Sequence, residues 1–455
     1  MKVSMVTMNI EIGNCQKNVN KMLMYIEKAR CENVDLIIFP QNAVSGYLLY
    51  EQWMDDTWCS YVDSFNDILI QESYDIAIVW GNIRYRNKRR FQAAFFAYEG
   101  KTHMRVKKNE KLAYIQDDLY FEESQINSAI QYKGYVMALN FKDDRQIADI
   151  NINIDSYMYD VSYQRNIRGT QLYVNASGIQ YNRTNVHVLD GKCMYMQDGK
   201  CLYASSSLCK EYHIVTLHQQ SNISNTGTLY EMICTSLRLF DEQVGKDKQW
   251  ILPITDNIGS ILSAYIFVNA ISNKKLIGII LDDNCPISFY EQLGITLIKI
   301  GEDIVNKKAI YDKLILEYED CIIIDTNSKV DRVLKNNPYI ECFYTVCSII
   351  GDLTKKEVNS LLDMISILPK DDFKYVSEDI NDAFIECLCQ PTLLPMFFKT
   401  YQTQAHNLMQ SYQKHRLRYE RNVYVLCMHH RVIDSNHLLP TFTYDYLIEK
   451  KDLSY

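Results

Sequence analysis

Segments with the pattern of buried β-strands alternate with segments patterned as amphipathic helices along most of the chain. Residues 2–10 form a short apolar run, and residues 15–32 carry apolar side chains at helical spacing. Residues 35–39 are a continuous apolar run ending at Pro40, as expected for a strand buried on both faces. This alternation predicts a layered α/β fold. The other strands predicted in this half are residues 76–81, 92–98, 146–154 and 172–175.

One polar stretch, residues 218–228, interrupts the alternation, which then restarts. A chain of 455 residues is too long for a single core, so we predict two domains, residues 1–220 and 229–455, with the linker at about 218–228. The second half fits a doubly wound parallel sheet. Its predicted helices are residues 229–245, 259–270 and 355–367, and its predicted strands are residues 249–254, 275–281 and 320–324.

Composition excludes several classes of function. The formal net charge of −8 argues against a general nucleic-acid or membrane-surface binder. No stretch reaches the roughly eighteen apolar residues that a membrane span needs. The first nine residues do not have the pattern of a secretory signal, and the 14 cysteines show no framework spacing. We therefore expect a cytoplasmic protein with reduced thiols and with no nucleic-acid or membrane partner.

Two groups of residues have the side chains of a metal site but not its spacing. Cys387 and Cys389 form one group, and Cys427, His429 and His430 form the other. Neither group has a second pair at a distance typical of zinc ligands. Buried thiols and surface imidazoles explain them better, so we predict no metal.

The basic run at residues 84–90 allows two interpretations. A nucleic-acid site would need interleaved aromatic side chains within a basic domain, and Tyr85 and Phe91 supply only the first of these. Because the chain is acidic as a whole, we predict a solvated strand end or loop.

Three segments of the first half resemble the nitrilase family of carbon–nitrogen hydrolases. In residues 35–47, Asp-Leu-Ile-Ile-Phe-Pro-Gln-Asn-Ala-Val-Ser-Gly-Tyr is similar to the family's strand that ends in Phe-Pro-Glu and leads to Gly-Tyr. Residues 100–121 are similar to the second block, in which a lysine precedes an acidic, aromatic-rich segment. Residues 169–177 resemble the strand after the nucleophile. The resemblance implies a nitrilase-like αββα sandwich, although a buried strand running into a turn explains residues 35–47 equally well when they are taken alone.

The amidase chemistry of that family needs a cysteine thiolate, a glutamate that moves a proton, and a lysine that stabilises the oxyanion. Gln41 stands at the glutamate position. Its amide has no titratable proton near neutral pH and cannot serve as a general base. Lys107 or Lys108 stands where the resemblance places the lysine.

The nucleophile is expected at the strand near residues 147–155, about seventeen residues before Gly169, where the segment Asn151, Ile152, Asn153, Ile154 and Asp155 stands. No cysteine occurs between Cys59 and Cys193. The resemblance therefore implies a glutaminase site that has lost its catalytic residues, so that none is intact.

The start of the second half resembles the pyrophosphatase loop of NAD synthetase. Residues 250–261 read Trp-Ile-Leu-Pro-Ile-Thr-Asp-Asn-Ile-Gly-Ser-Ile, and the family's loop is Ser-Gly-Gly-Ile-Asp-Ser. Glycines there allow backbone N–H groups to approach the ATP pyrophosphate. Asp256 and Asn257 replace the two glycines, and Gly259 replaces the aspartate, while Thr255 and Ser260 are polar. The substitutions would crowd the loop and repel phosphate.

Two later segments resemble the same family. Residues 325–329, Asp-Thr-Asn-Ser-Lys, are similar to its Thr-Gly-Asn-Lys-Ser-Glu and contain Thr326 and Asn327. Residues 350–358, Ile-Gly-Asp-Leu-Thr-Lys-Lys-Glu-Val, are similar to Gly-Asp-Leu-Tyr-Lys-Thr-Gln-Val and contain Lys355. The second segment also fits an ordinary helix start, capped by Asp352 or Thr354 with a glutamate in the first turn.

Both sets of segments occur in the order found in glutamine-dependent NAD⁺ synthetases, so the whole chain resembles that family: a nitrilase-like domain followed by a Rossmann-like domain. The substitutions imply a pseudoenzyme that acts as a scaffold, regulatory subunit or nucleotide sensor. An ammonia-using NAD⁺ synthetase, or a related adenylating ligase, that has lost only its glutaminase is the alternative. The implied partners are a second copy or an active NAD⁺ synthetase-like paralogue. A scaffold would bind no nucleotide, whereas a sensor would hold ATP, Mg or NAD without turnover, at Thr255, Asp256, Asn257, Gly259, Ser260, Thr326, Asn327 and Lys355.

Overall fold

The computed structural model describes residues 1–109, 111–112, 115–124, 130–141, 148–156, 169–182, 185–206, 211–220, 228–281, 284–299, 318, 321–334, 345–365, 379–389, 394–415 and 423–427. One unit comprises Met1–Asn182 and His187–Met232, and the other comprises Arg183–Val186 and Ile233–Tyr455. Most of the predicted linker, residues 221–227, lies outside the described residues, as do His429 and His430.

The elements up to residue 216 are mainly strands. In chain order they are β1 (Lys2–Val6), α1 (Cys15–Cys31), β2 (Leu36–Ile38), a 3₁₀ helix (Tyr50–Met54), α2 (Asp56–Gln71), β3 (Ala77–Arg86), β4 (Arg89–Tyr98), β5 (Lys101–Val106), β6 (Lys111–Leu112), β7 (Ile115–Gln116), α3 (Asp117–Tyr120), β8 (Ile130–Tyr132), β9 (Tyr135–Asn140), β10 (Ile150–Asp155), β11 (Thr170–Asn175), β12 (Ser177–Asn182), β13 (Asn185–Asp190), β14 (Cys193–Gln197), β15 (Lys200–Ala204) and β16 (Tyr212–Thr216). The predicted helix at residues 15–32 and the predicted strands at 76–81, 92–98 and 172–175 are confirmed.

Two six-stranded sheets form the first unit, in the orders β16-β1-β2-β3-β4-β5 and β15-β14-β11-β10-β9-β8. Their facing side chains make one apolar core, to which Leu36 and Ile38 contribute from one sheet and Ile152 and Leu172 from the other. Helices α1 and α2 cover the outer face of the first sheet, where Ile37 belongs to a second apolar cluster. The short strand β2 is therefore buried on both faces, as its continuous apolar run predicts.

The basic run at residues 84–90 forms the ends of β3 and β4 and the turn between them. This confirms the predicted strand end or loop. The run is not fully solvated, however. Arg84 is half-buried and pairs with Asp63 at 3.3 Å, and Arg90 is half-buried and pairs with Asp56 at 2.5 Å.

The second half of the chain alternates strands and helices. In chain order its elements are α4 (Leu229–Phe240), a π-helical turn (Asp241–Gly245), β17 (Trp250–Ile254), α5 (Ile258–Ala270), β18 (Leu276–Ile280), α6 (Ile287–Gln292), β19 (Thr296–Lys299), β20 (Ile322–Asp325), α7 (Lys329–Leu334), β21 (Thr345–Ser348), α8 (Lys355–Leu362), α9 (Asp379–Cys389), α10 (Leu394–His415) and β22 (Val423–Cys427). The predicted helix at 229–245 changes to π geometry at Asp241. There the buried carboxylate accepts hydrogen bonds from Trp250 Nε1 at 2.9 Å and Lys275 Nζ at 2.7 Å.

The strands of this unit run parallel in the order β22-β21-β20-β17-β18-β19. The chain builds outward from β17 in one direction and later returns to build from β20 in the other. In open α/β sheets, ligand sites lie beyond the carboxyl ends of the strands where the order reverses. The loops that follow β17 and β20 are therefore where a site is expected, and they contain residues 255–260 and 326–328.

Candidate functional site

In the first unit, Gln41 lies in the loop that follows β2, against the backbone of β3. Gly81 N donates to Pro40 O at 3.1 Å. A Cβ atom built on Gly81 would lie 2.5 Å from Gln41 Cα. Only a glycine at residue 81 allows this close approach, and the approach fixes the position of Gln41.

The side chain of Gln41 is 2% exposed and is held by neighbouring polar groups. Its Nε2 donates to Gln92 Oε1 at 3.2 Å. Its backbone N–H donates to Asp155 O at 3.3 Å, and its carbonyl accepts from Ser156 Oγ. The amide thus donates from the position at which the amidase chemistry requires a proton acceptor.

Lys107, but not Lys108, is buried beside this loop. Lys107 is 3% exposed, and its backbone N–H donates to Gln92 O at 2.8 Å. Its Nζ lies 5.9 Å from the ring centroid of Tyr47. Lys108 is exposed. Of the two lysines that the sequence left as alternatives, Lys107 is the one that lies beside the Gln41 loop.

None of the described hydrogen bonds joins Gln41 to the three residues predicted at the nucleophile position. Ile152 lies in the core between the sheets. Asn153 Nδ2 donates to Gln171 Oε1 at 3.0 Å, and Asn151 Oδ1 accepts from Asn140 Nδ2 at 3.2 Å.

Asp155 and Ser156, at the end of β10, are the residues that meet the Gln41 loop. Asp155 is fully buried and Ser156 is 6% exposed. Asp155 ends the segment from Asn151 in which the sequence places the nucleophile, whereas Ser156 follows that segment and was missed. The polar residues at every second position of β10 mark the face opposite the apolar core, and Ser156 lies outside that pattern.

The two cysteines that flank this region in sequence are not activated thiols. Cys59 lies in α2, where its Sγ donates to Trp53 O at 3.2 Å, and burial raises its pKa. Cys193 lies in the core between the sheets, and burial raises its pKa to about 12. A thiolate is the nucleophilic form of cysteine, and burial of this kind suppresses it.

In the second unit, the loop before α5 uses its own backbone donors. Asn257 N–H donates to Thr255 Oγ1 at 3.2 Å. Gly259 N–H donates to the Asn257 side-chain Oδ1 at 3.0 Å, and Ser260 N–H donates to the Asn257 carbonyl at 2.9 Å. Asn257 is therefore the N-cap of α5. These three donors are already used within the loop.

The hydroxyl groups and the glycine of this loop are also engaged. Ser260 Oγ donates to Pro253 O at 3.2 Å and lies 3.1 Å from Thr255 Oγ1. A Cβ atom built on Gly259 would lie 1.9 Å from the carbonyl oxygen of Thr326. Asp256 is exposed. The loop after β20 thus packs on the first turn of α5, and no side chain, including the family's aspartate, fits at residue 259.

The loop after β20 is held by a buried carboxylate. Asp325 is fully buried, and its Oδ1 accepts from Asn327 N–H at 3.1 Å and from Asn327 Nδ2 at 2.6 Å. Lys329 and Asp352, both buried, form an ion pair of 2.9 Å between Nζ and Oδ1. Burial, followed by the nearby Asp325 charge, raises the pKa of Cys347 on β21.

Lys355 begins α8, and a residue from α9 supplies the carboxylate at this helix start. Lys355 N–H donates to Asp382 Oδ1 at 3.0 Å, and Lys356 N–H donates to Asp382 Oδ2 at 3.1 Å. Thr354 and Glu357 form a capping box, which confirms the predicted cap at Thr354 rather than at Asp352. Asp382 was missed because no local pattern connects it to residue 355.

No helix within the described residues has the length and apolarity needed to cross a membrane. Among the same residues, no three His, Cys, Asp or Glu side chains come together as a metal-binding group.

No protein-family model matches the chain, and no curated protein has significant sequence similarity to it. Two solved structures resemble it along almost its whole length. A glutamine-dependent NAD⁺ synthetase from Cytophaga hutchinsonii has 13% identity, covers 100% of both chains and gives a TM-score of 0.73. A glutamine-dependent NAD⁺ synthetase from Acinetobacter baumannii, in complex with adenosine diphosphate, has 15% identity, covers 91% of this chain and 93% of its own, and gives a TM-score of 0.67. At these identities the similarity shows the fold, and it confirms the predicted class: a nitrilase-like sandwich followed by a Rossmann-like parallel sheet.

Proposed function

We propose that this protein is a pseudoenzyme with the fold of glutamine-dependent NAD⁺ synthetases, which acts in the cytoplasm as a scaffold or regulatory subunit. The observation that carries the proposal is the closed loop before α5. The N–H groups of Asn257, Gly259 and Ser260 all donate to atoms of the same loop. A pyrophosphate held at a helix N-terminus needs such donors to be available.

Packing around the loop supports the same conclusion. The Thr326 carbonyl oxygen lies over the first turn of α5, close enough to exclude any Cβ atom at Gly259. A carbonyl oxygen carries partial negative charge and repels phosphate oxygens. At the start of α8 the Asp382 carboxylate already occupies the N–H groups of Lys355 and Lys356. The residues present do not fit ATP, with or without Mg, or NAD in the manner of a pyrophosphatase loop.

The residues at the amidase positions are the second support for a pseudoenzyme. Gln41 donates a hydrogen bond and cannot accept a proton, and Asp155 and Ser156 stand where the strand ends. A serine hydroxyl needs an adjacent base before it can attack a carboxamide. In the described contacts, Ser156 Oγ donates to the Gln41 carbonyl oxygen. A backbone carbonyl does not take up the serine proton as a general base would.

One observation favours the alternative, in which the second unit still binds a nucleotide as an ammonia-using synthetase, an adenylating ligase or a sensor. Charged side chains are buried at the carboxyl ends of β20 and β21, namely Asp325, Lys329, Arg332 and Asp352. Buried charges often mark functional sites. Lys329 pairs with Asp352 at 2.9 Å, Arg332 Nη1 donates to Gly351 O at 3.4 Å, and Asp325 Oδ1 accepts from Asn327 N–H at 3.1 Å. These contacts lie within the same loops, which favours a structural role.

Thermal unfolding of the full chain with Mg-ATP, NAD⁺ or its acid precursor separates the two proposals. A ligand at one hundred times its dissociation constant stabilises a fold by about 2.7 kcal/mol. We expect no change in Tm with any of the three. An increase with any of them would contradict the closed loop and call for a turnover assay with ammonia.

The matched variant is Asp256→Gly with Asn257→Gly, which restores the glycines of the pyrophosphatase-loop pattern. Its glycines remove the Asn257 cap and permit other loop conformations. If the loop is what prevents binding, this variant gains a nucleotide-dependent increase in Tm that the native chain lacks. Glutaminase activity is measured on the native chain and on Gln41→Glu. We expect none in either, since the variant restores the base but not a thiol.

The expected partners of such a protein are a second copy of the chain or an active NAD⁺ synthetase-like paralogue. Pull-down of the full chain with a purified, active glutamine-dependent NAD⁺ synthetase, followed by its turnover rate with and without the pseudoenzyme, tests the second. A partner should change that rate or the assembly size. If neither changes and the chain self-associates, the scaffold acts through copies of itself.

A further inference from the structure

We draw no further inference here: the strongest candidate, the buried polar side chains of Asn42 and Gln180 at the loop that follows β2, belongs to the amidase-type site already described around Gln41.

Discussion

The carbonyl oxygen of Thr326 lies so close to Gly259 that a Cβ atom built on the glycine would be 1.9 Å from it. This contact joins the first turn of α5 to the loop after β20, at the point where the strand order of the parallel sheet reverses. Gly259→Ala should therefore destabilise the fold by about 1–3 kcal/mol, because a backbone atom has to move. Denaturant unfolding measures the loss.

Asn269→Ala, an exposed position on the same helix, is the control and should change the free energy of unfolding by less than about 0.5 kcal/mol. Equal stability of the glycine variant and the control would mean that the two loops do not pack as described.

The N-cap at Asn257 stabilises α5 through the hydrogen bond from Gly259 N–H. Asn257→Ala should lower the free energy of unfolding by about 1 kcal/mol, whereas Asn257→Asp keeps an acceptor and should preserve it. Denaturant midpoints of the two variants test this difference. If both variants lost the same stability, the cap would not be the cause.

Lys329 and Asp352 form a buried ion pair, with side-chain exposures of 8% and 1%. Lys329→Met leaves the Asp352 carboxylate buried without this partner and should cost about 3–5 kcal/mol. The double variant Lys329→Met/Asp352→Leu removes both charges and should recover most of that loss. A double-mutant cycle with Asp352→Leu alone measures the coupling. Additive effects would argue against a direct pair.

Gln41→Glu places a carboxyl group in a site that is 2% exposed and removes the donor to Gln92. Burial raises the pKa of a carboxyl group above its unfolded value. The variant should lose stability relative to the native chain as pH rises above the unfolded pKa and should be least stable above the raised folded pKa, and the difference should shrink as pH falls and the group is protonated. Thermal unfolding between about pH 4.5 and 7.5 checks the sign. A difference that grows toward low pH would contradict it.

Thiol labelling should separate the cysteines by burial. Cys31 is exposed, whereas Cys193 is buried and burial raises its pKa to about 12. At pH 8 we expect Cys31 to react with a thiol reagent in the folded protein and Cys193 to react only after unfolding. Cys31→Ser identifies the fast phase by removing it. Rapid reaction of Cys193 in the folded protein would show that the sandwich core opens.

Much of the fold follows from local pattern. The apolar run that becomes β2 is buried on both faces, and Thr354 with Glu357 gives the capping box at the start of α8. These features depend on residues within one turn or one strand of each other, so the sequence carries them directly. The loss of a proton acceptor at Gln41 is also a property of the side chain itself.

Contacts between residues that are distant in the sequence could be known only from the tertiary structure. It buried Lys107 and left Lys108 exposed, brought Asp155 to Gln41, and placed Asp382 at the start of α8. Strand order and register determine which distant residues come into contact. The spacing of apolar residues, every second residue in a strand or every 3.6 in a helix, indicates only the face on which a side chain lies. The closing of the loop at Gly259 has the same origin: sequence shows that the aspartate is missing, and only the packing of two loops at the sheet edge shows that no side chain fits there.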